Sequence, residues 1–239
     1  MKAFKLLAAV LAFTAVNVSA QTAVSAEKSV DQIVNDYVTA LGGKEKLESL
    51  KTVKMQGTMN TQGADVSLTM TKSHMVGFRM DIEVMGTSNY QIANKTEGWV
   101  FMPVMGMKEP QKMDDAQYKA SVNQFDLQGA LVNYKDKGTA IESLGKETVD
   151  GSEAYKLKLT FSNGETSNYF IDAKTNRLVK ISGKRTINGE EMDIATSFSD
   201  FKQNADGFWF PYTMETIQGK VYFEKVETNV PAEDNLFKN

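Results

Sequence analysis

Val53-Lys54-Met55-Gln56-Gly57-Thr58-Met59, followed after Gln62-Gly63 by Ala64-Asp65-Val66-Ser67-Leu68-Thr69-Met70, is the stretch on which the fold turns. Apolar and polar residues alternate with a period of two, which marks half-buried antiparallel strands joined by a tight turn. The pattern continues on both sides. Phe78, Met80, Ile82 and Val84 predict a third strand, Tyr90 and Ile92 a fourth, and Trp99 to Val104 a fifth that is apolar on both faces. From Thr139 strands resume, punctuated by Asp150-Gly151, Asn163-Gly164, Asn188-Gly189 and Asp206-Gly207. Such pairs supply the positive-φ residues of hairpin turns.

One helix precedes the strands and a second is inserted among them. Ser29 and Gln32 have capping-box spacing, and Val30, Ile33, Val34, Tyr37, Val38 and Leu41 follow on one face before Gly42-Gly43 ends the helix. Asp114 or Asp115 caps a second, with Tyr118, Val122, Phe125 and Leu131 on its apolar side. The expected fold is mainly β with helices. It is a single curled antiparallel sheet of about 10–11 strands, forming an unclosed barrel whose concave side the two helices cover.

The first 20 residues read as a secretory signal: Lys2 and Lys5, an apolar run from Leu6 to Val16, then Val18-Ser19-Ala20 before a cut after Ala20. Residues 21–239 then form one domain, expected in the periplasm without stable membrane insertion. Losing Lys2 and Lys5 leaves 25 basic against 30 acidic residues, a net charge of −5. A mildly acidic chain with scattered basic residues argues against a nucleic-acid partner. Cysteine is absent, so there is no lipid-anchor thiol, no thiol nucleophile and no thiolate metal ligand.

Ten of the 13 methionines lie between Met55 and Met113, which concentrates flexible, polarizable side chains in the first set of strands. Such a surface can re-pack around a greasy guest. Tyr37, Met55, Met59, Met70, Phe78, Met80, Phe101, Phe125 and Tyr155 are the candidate cavity residues, and Met105 and Met107, flanking Gly106, are candidate lid or loop contacts. Alternation does not say which face is concave. His74, the single histidine, reads as a solvated strand-end residue, and neither a catalytic set nor a metal cluster emerges. Lys156, Lys158, Lys180, Lys184 and Arg185 read as a solvated basic face. No cofactor is expected.

The order of four segments resembles the LolA/LolB superfamily of outer-membrane lipoprotein carriers and receptors. These are Ala40-Leu41-Gly42-Gly43 with Leu47, Leu50 and the strand from Val53; Asn94 to Pro103; Asp150 to Leu157; and Tyr169-Phe170-Ile171-Asp172 with Asn176-Arg177-Leu178. The resemblance implies a half-barrel with a helical lid, an acyl-chain cavity and a non-enzymatic carrier role. The missing anchor cysteine points to the soluble branch. The carriers' Lys-Arg-Pro segment is replaced here by Lys72-Ser73-His74, with Ser73 where the lid-closing Arg is expected. The expected partners are a lipid or acylated protein and an envelope donor or acceptor, and the chain is expected to be a monomer. The alternatives are a sensory or structural lipid-binding module of the envelope and, least favoured, an enzyme acting on a lipid-like substrate.

Overall fold

The computed structural model describes residues 27–61, 64–122, 124–187, 190–233 and 235–239. The signal read at residues 1–20 and the Gln62-Gly63 and Asn188-Gly189 turns lie outside the described residues.

The chain enters through α1 (Val30–Ala40), whose Ser29 side chain accepts from the Gln32 backbone while the Gln32 side chain accepts from the Ser29 backbone. This is the capping box that the sequence spacing requires. A short α2 (Lys44–Glu48) follows. Five strands then meander: β1 (Thr52–Thr61), β2 (Ala64–Ser73), β3 (Gly77–Val84), β4 (Thr87–Asn94) and β5 (Gly98–Phe101). A single 3-10 turn at Pro103–Met105 leads to the two-residue β6 (Gln111–Lys112) and to α3 (Asp115–Val122). The second meander runs through β7 (Ala140–Val149), β8 (Ser152–Thr160), β9 (Thr166–Asp172), β10 (Leu178–Ile187), β11 (Glu190–Gln203), β12 (Trp209–Thr216) and β13 (Gly219–Thr228).

All thirteen strands form one antiparallel sheet in the order β6-β5-β4-β3-β2-β1-β13-β12-β11-β10-β9-β8-β7. The sheet is open, with β6 and β7 at its edges. The expectation of 10–11 strands falls short because β6 is only two residues long and β7 is mostly exposed, with little alternation to read. β7 also carries a bulge between Ser143 and Lys146, a device that discourages edge-to-edge pairing.

The two meanders meet where β1 pairs with β13, with Met55 opposite Val226 and Gly57 opposite Phe223. The register shifts at Gln56/Gly57. A Cβ on Gly57 would lie 2.1 Å from the Tyr222 carbonyl oxygen, so only glycine allows the strands this close.

Because β6 and β7 lie at opposite edges, residues 113–139 must travel from one to the other, and they cross one face of the sheet. Their apolar contacts trace the path. Tyr118 and Phe125 pack with Met70, Phe78 and Ala93 of β2–β4. Leu127 packs on the cluster of Val53, Phe208, Val221 and Phe223. Leu131, 1% exposed, joins Ile33 and Tyr37 of α1 with Leu157, Leu159 and Ile171 of β8 and β9. The second helix is shorter than its apolar residues suggest. It stops at Val122, and Phe125 and Leu131 belong to the connector beyond it.

The opposite face is also covered in part. Thr52 Oγ1 donates to the Val230 carbonyl, Asn94 Nδ2 to that of Phe237, and Tyr90 to the Asn239 side chain. Phe237 is buried and stands where a Gly77 side chain would be. No helix among the described residues is long and apolar enough to cross a membrane.

Candidate lipid-binding face

Strand register assigns each candidate to a face. Met55 pairs with Met70 and Met70 with Met80, so these three methionines form a row across β1, β2 and β3. Residues two apart on a strand share a face, which adds Met59 and Phe78. Phe125 descends onto this layer from the connector and is 3% exposed. Six of the nine candidates therefore lie on the helix-covered face of the first half-sheet.

Tyr37 and Tyr155 share that face but belong to the separate cluster under α1, with Ile33, Leu131 and Leu157. Burial pushes the Tyr37 phenol well above its ordinary range. The Lys28 and Lys146 ammonium groups sit 5.6 and 5.4 Å from the Tyr155 ring centre.

Phe101 departs from the set. It pairs with Tyr90, whereas Met80 pairs with Gln91, so Phe101 points to the other face. Its ring lies 5.5 Å from that of Tyr90. The sequence could not reveal this, because β5 is covered on both sides and shows no alternation. Met105 and Met107 also separate. Met105 is 78% exposed at the loop tip, while the Met107 sulfur accepts from the Met102 backbone and folds back on its own loop.

Phe125 packs directly on Met70, Phe78 and Ala93, with Met55, Met80 and Tyr118 against them. Two surface depressions lie elsewhere. One, of about 430 Å³, is lined by Lys158, Lys180, Lys184, Asn168, Ser182 and neighbouring residues. The other, of about 350 Å³, is lined by Lys146, Tyr155, Asp172 and neighbouring residues. The first opens between the basic residues read as a solvated face, two of which are paired, Lys156 with Glu147 and Lys184 with Glu191. The Arg185 side chain lies outside the described residues.

The connector is held down by a small polar latch at the β2–β3 turn. His74 Nδ1 accepts from the Leu127 N–H at 3.2 Å, and the Met75 N–H donates to the Phe125 carbonyl at 2.8 Å. Asp126 lies 3.8 Å from His74 and pairs with Lys137, which also donates to the Gly129 carbonyl. Burial is the main cause that lowers the His74 pKa, opposed by Asp126 and assisted by Lys51 and Lys137. The solvated strand-end reading of His74 is thus corrected: its imidazole is mostly covered and bonded to the connector. Sequence spacing gives no hint of a contact between residues 53 positions apart.

Lys72 was also missed, although a signal was present. The apolar phase of β2 runs Val66, Leu68, Met70 and then Lys72. Lys72 pairs with Val53 on one side and Phe78 on the other, so it too belongs to the helix-covered face.

No family model matches the sequence, and no curated protein matches it. Solved structures do match. A LolA superfamily protein from Nitrosomonas europaea superposes with a TM-score of 0.55 at 13% identity, over 89% of this chain and 99% of that one. A DUF1329 family protein from Desulfovibrio piger gives 0.58 at 14% identity, over 89% and 98%. A Vibrio parahaemolyticus domain, named as a candidate outer membrane lipoprotein-sorting protein, gives 0.52 at 14% identity, over 86% and 94%. At these identities the likeness is one of fold, and the fold is LolA-like.

Proposed function

We propose that this LolA-like chain is a periplasmic binding protein that takes up a lipid, or the acyl chains of a lipidated protein, on the helix-covered face and carries it without chemical change. The observation that carries this reading is the layer of Met55, Met70, Met80 and Phe78 lying directly beneath Phe125 of a crossing connector. Each buried methylene of an acyl chain contributes about 0.8 kcal/mol, and methionine can re-pack around such a chain without a fixed shape. Phe125 and Leu127 occupy the space a guest would take, so uptake exchanges intramolecular apolar contacts for contacts with the ligand. That exchange moderates affinity and permits release. The LolA-like fold and the candidate sorting role of the Vibrio relative support the same reading.

Organic extraction of protein purified from its native envelope, followed by mass spectrometry, tests the proposal. Acyl species in stoichiometric yield are expected, and a fluorescent fatty acid should be displaced by them. Protein that yields no acyl species and takes up no fluorescent fatty acid would overturn it.

A further inference from the structure

Lys72 stands out on the face assigned above to lipid. No other position of that face in β1 to β5 carries a charge among the described residues, and the same strand supplies Met70, Leu68 and Val66 in the following positions. The Lys72 ammonium lies 5.7 Å from the centre of the Phe78 ring. It forms no ion pair with any carboxylate among the described residues. Burial alone pushes its pKa down to about 8. Lys72 is half-buried, and burying part of a cation without an anionic partner carries a desolvation cost that methionine or leucine would avoid here. Phe78, which Lys72 faces, is also the floor on which Phe125 sits. Lys72 therefore lies beside the Phe78–Phe125 contact, on the strand that leads to the His74 latch.

We infer that Lys72 receives the anionic headgroup, a carboxylate or a phosphate, of an acyl ligand whose tail runs along Met70, Leu68 and Val66 once the connector has lifted. This rests on the lipid-binding reading above and narrows it to single-chain anionic amphiphiles. The six steps from Lys72 to Val66 span about 20 Å at roughly 3.3 Å per residue, a length that suits a long acyl tail.

Calorimetric titration of the full chain with palmitate, palmitoyl lysophosphatidate and neutral monopalmitoylglycerol, each kept below its micelle concentration, tests the inference. At least one anionic ligand should bind about tenfold or more tightly than the neutral one, as a charge-assisted contact to a half-buried lysine requires. The order of the two anions identifies carboxylate or phosphate as the preferred group. Lys72→Met should bring anionic binding down to the neutral level and leave monopalmitoylglycerol unchanged, while Lys72→Arg retains the preference. Equal binding of neutral and anionic ligands by the wild type, or an undiminished preference in Lys72→Met, would refute the role of Lys72 while leaving the lipid-binding reading intact. Failure of all three ligands to bind would remove both.

Discussion

Phe125→Ala isolates the contact between the connector and the methionine layer. Phe125 is 3% exposed and packs on Met70, Phe78 and Ala93. Truncating a buried phenylalanine to alanine costs about 3–5 kcal/mol when its surroundings cannot collapse. The loss need not appear as global destabilisation, because the connector can detach locally. Its other ties remain: the Leu127 N–H to His74, the Met75 N–H to the Phe125 carbonyl, and Leu131 under α1. A loss of about 3 kcal/mol in docking raises the detached population by roughly 10²-fold, at about 1.4 kcal/mol per factor of ten. Native-state hydrogen exchange reads this directly. The Met75 and Leu127 amides should exchange roughly 10²-fold faster in the variant, while Leu157 and Ile171 of the second half-sheet keep their protection. The fluorescent fatty acid should also enter faster. If exchange at Met75 and Leu127 changes by less than about threefold, Phe125 does not hold the connector and the reasoning fails.

Two further outcomes follow from particular contacts. Gly57→Ala sets a methyl group against the Tyr222 carbonyl and the Phe223 backbone, which cannot move aside as a side chain would. We expect a loss of at least about 3 kcal/mol, measured as a lowered urea midpoint; an unchanged midpoint would contradict the β1–β13 register. His74 should make the connector sensitive to acid. Only neutral imidazole can accept the Leu127 N–H, and the folded pKa lies below the unfolded value of 6.5. The unfolded chain therefore binds the proton first, so the stabilisation is complete above about pH 6.5 and is lost as pH falls through the folded value. The urea midpoint of the wild type should fall relative to that of His74→Ala between about pH 7 and pH 5; parallel curves would exclude the latch.

Much of the fold could be read because local chemistry and tertiary structure agree. The Ser29–Gln32 capping box and the strands from Val53 onward occur where their residues require. The Asp150-Gly151 turn supplies positive φ at both of its residues. The candidate site was legible only in part, for three physical reasons. Alternation identifies two faces but not which one the connector covers, so Phe101 was grouped with Met80 although β5 directs it to the other side. The path of residues 113–139 is set by the positions of β6 and β7 at opposite edges, a property of the whole sheet that no local pattern encodes. Contacts such as His74 to Leu127 join segments far apart in sequence. Lys72 is different: a charged residue in the apolar phase of a strand is visible in the sequence, and the register places it on the covered face.

The pairing of β1 with β13 also bears on how the protein reaches its native state. Each meander grows from hairpins between neighbouring strands, which are quick to form. The seam between them joins the first strand to the last, with Met55 meeting Val226, so it closes only after nearly the whole polypeptide is available. Until then β1 and β12 each present a bare, apolar edge in the middle of what will become a continuous sheet. A chain truncated before Gly219 would keep both edges exposed, and its fate would be self-association rather than a smaller version of the same molecule.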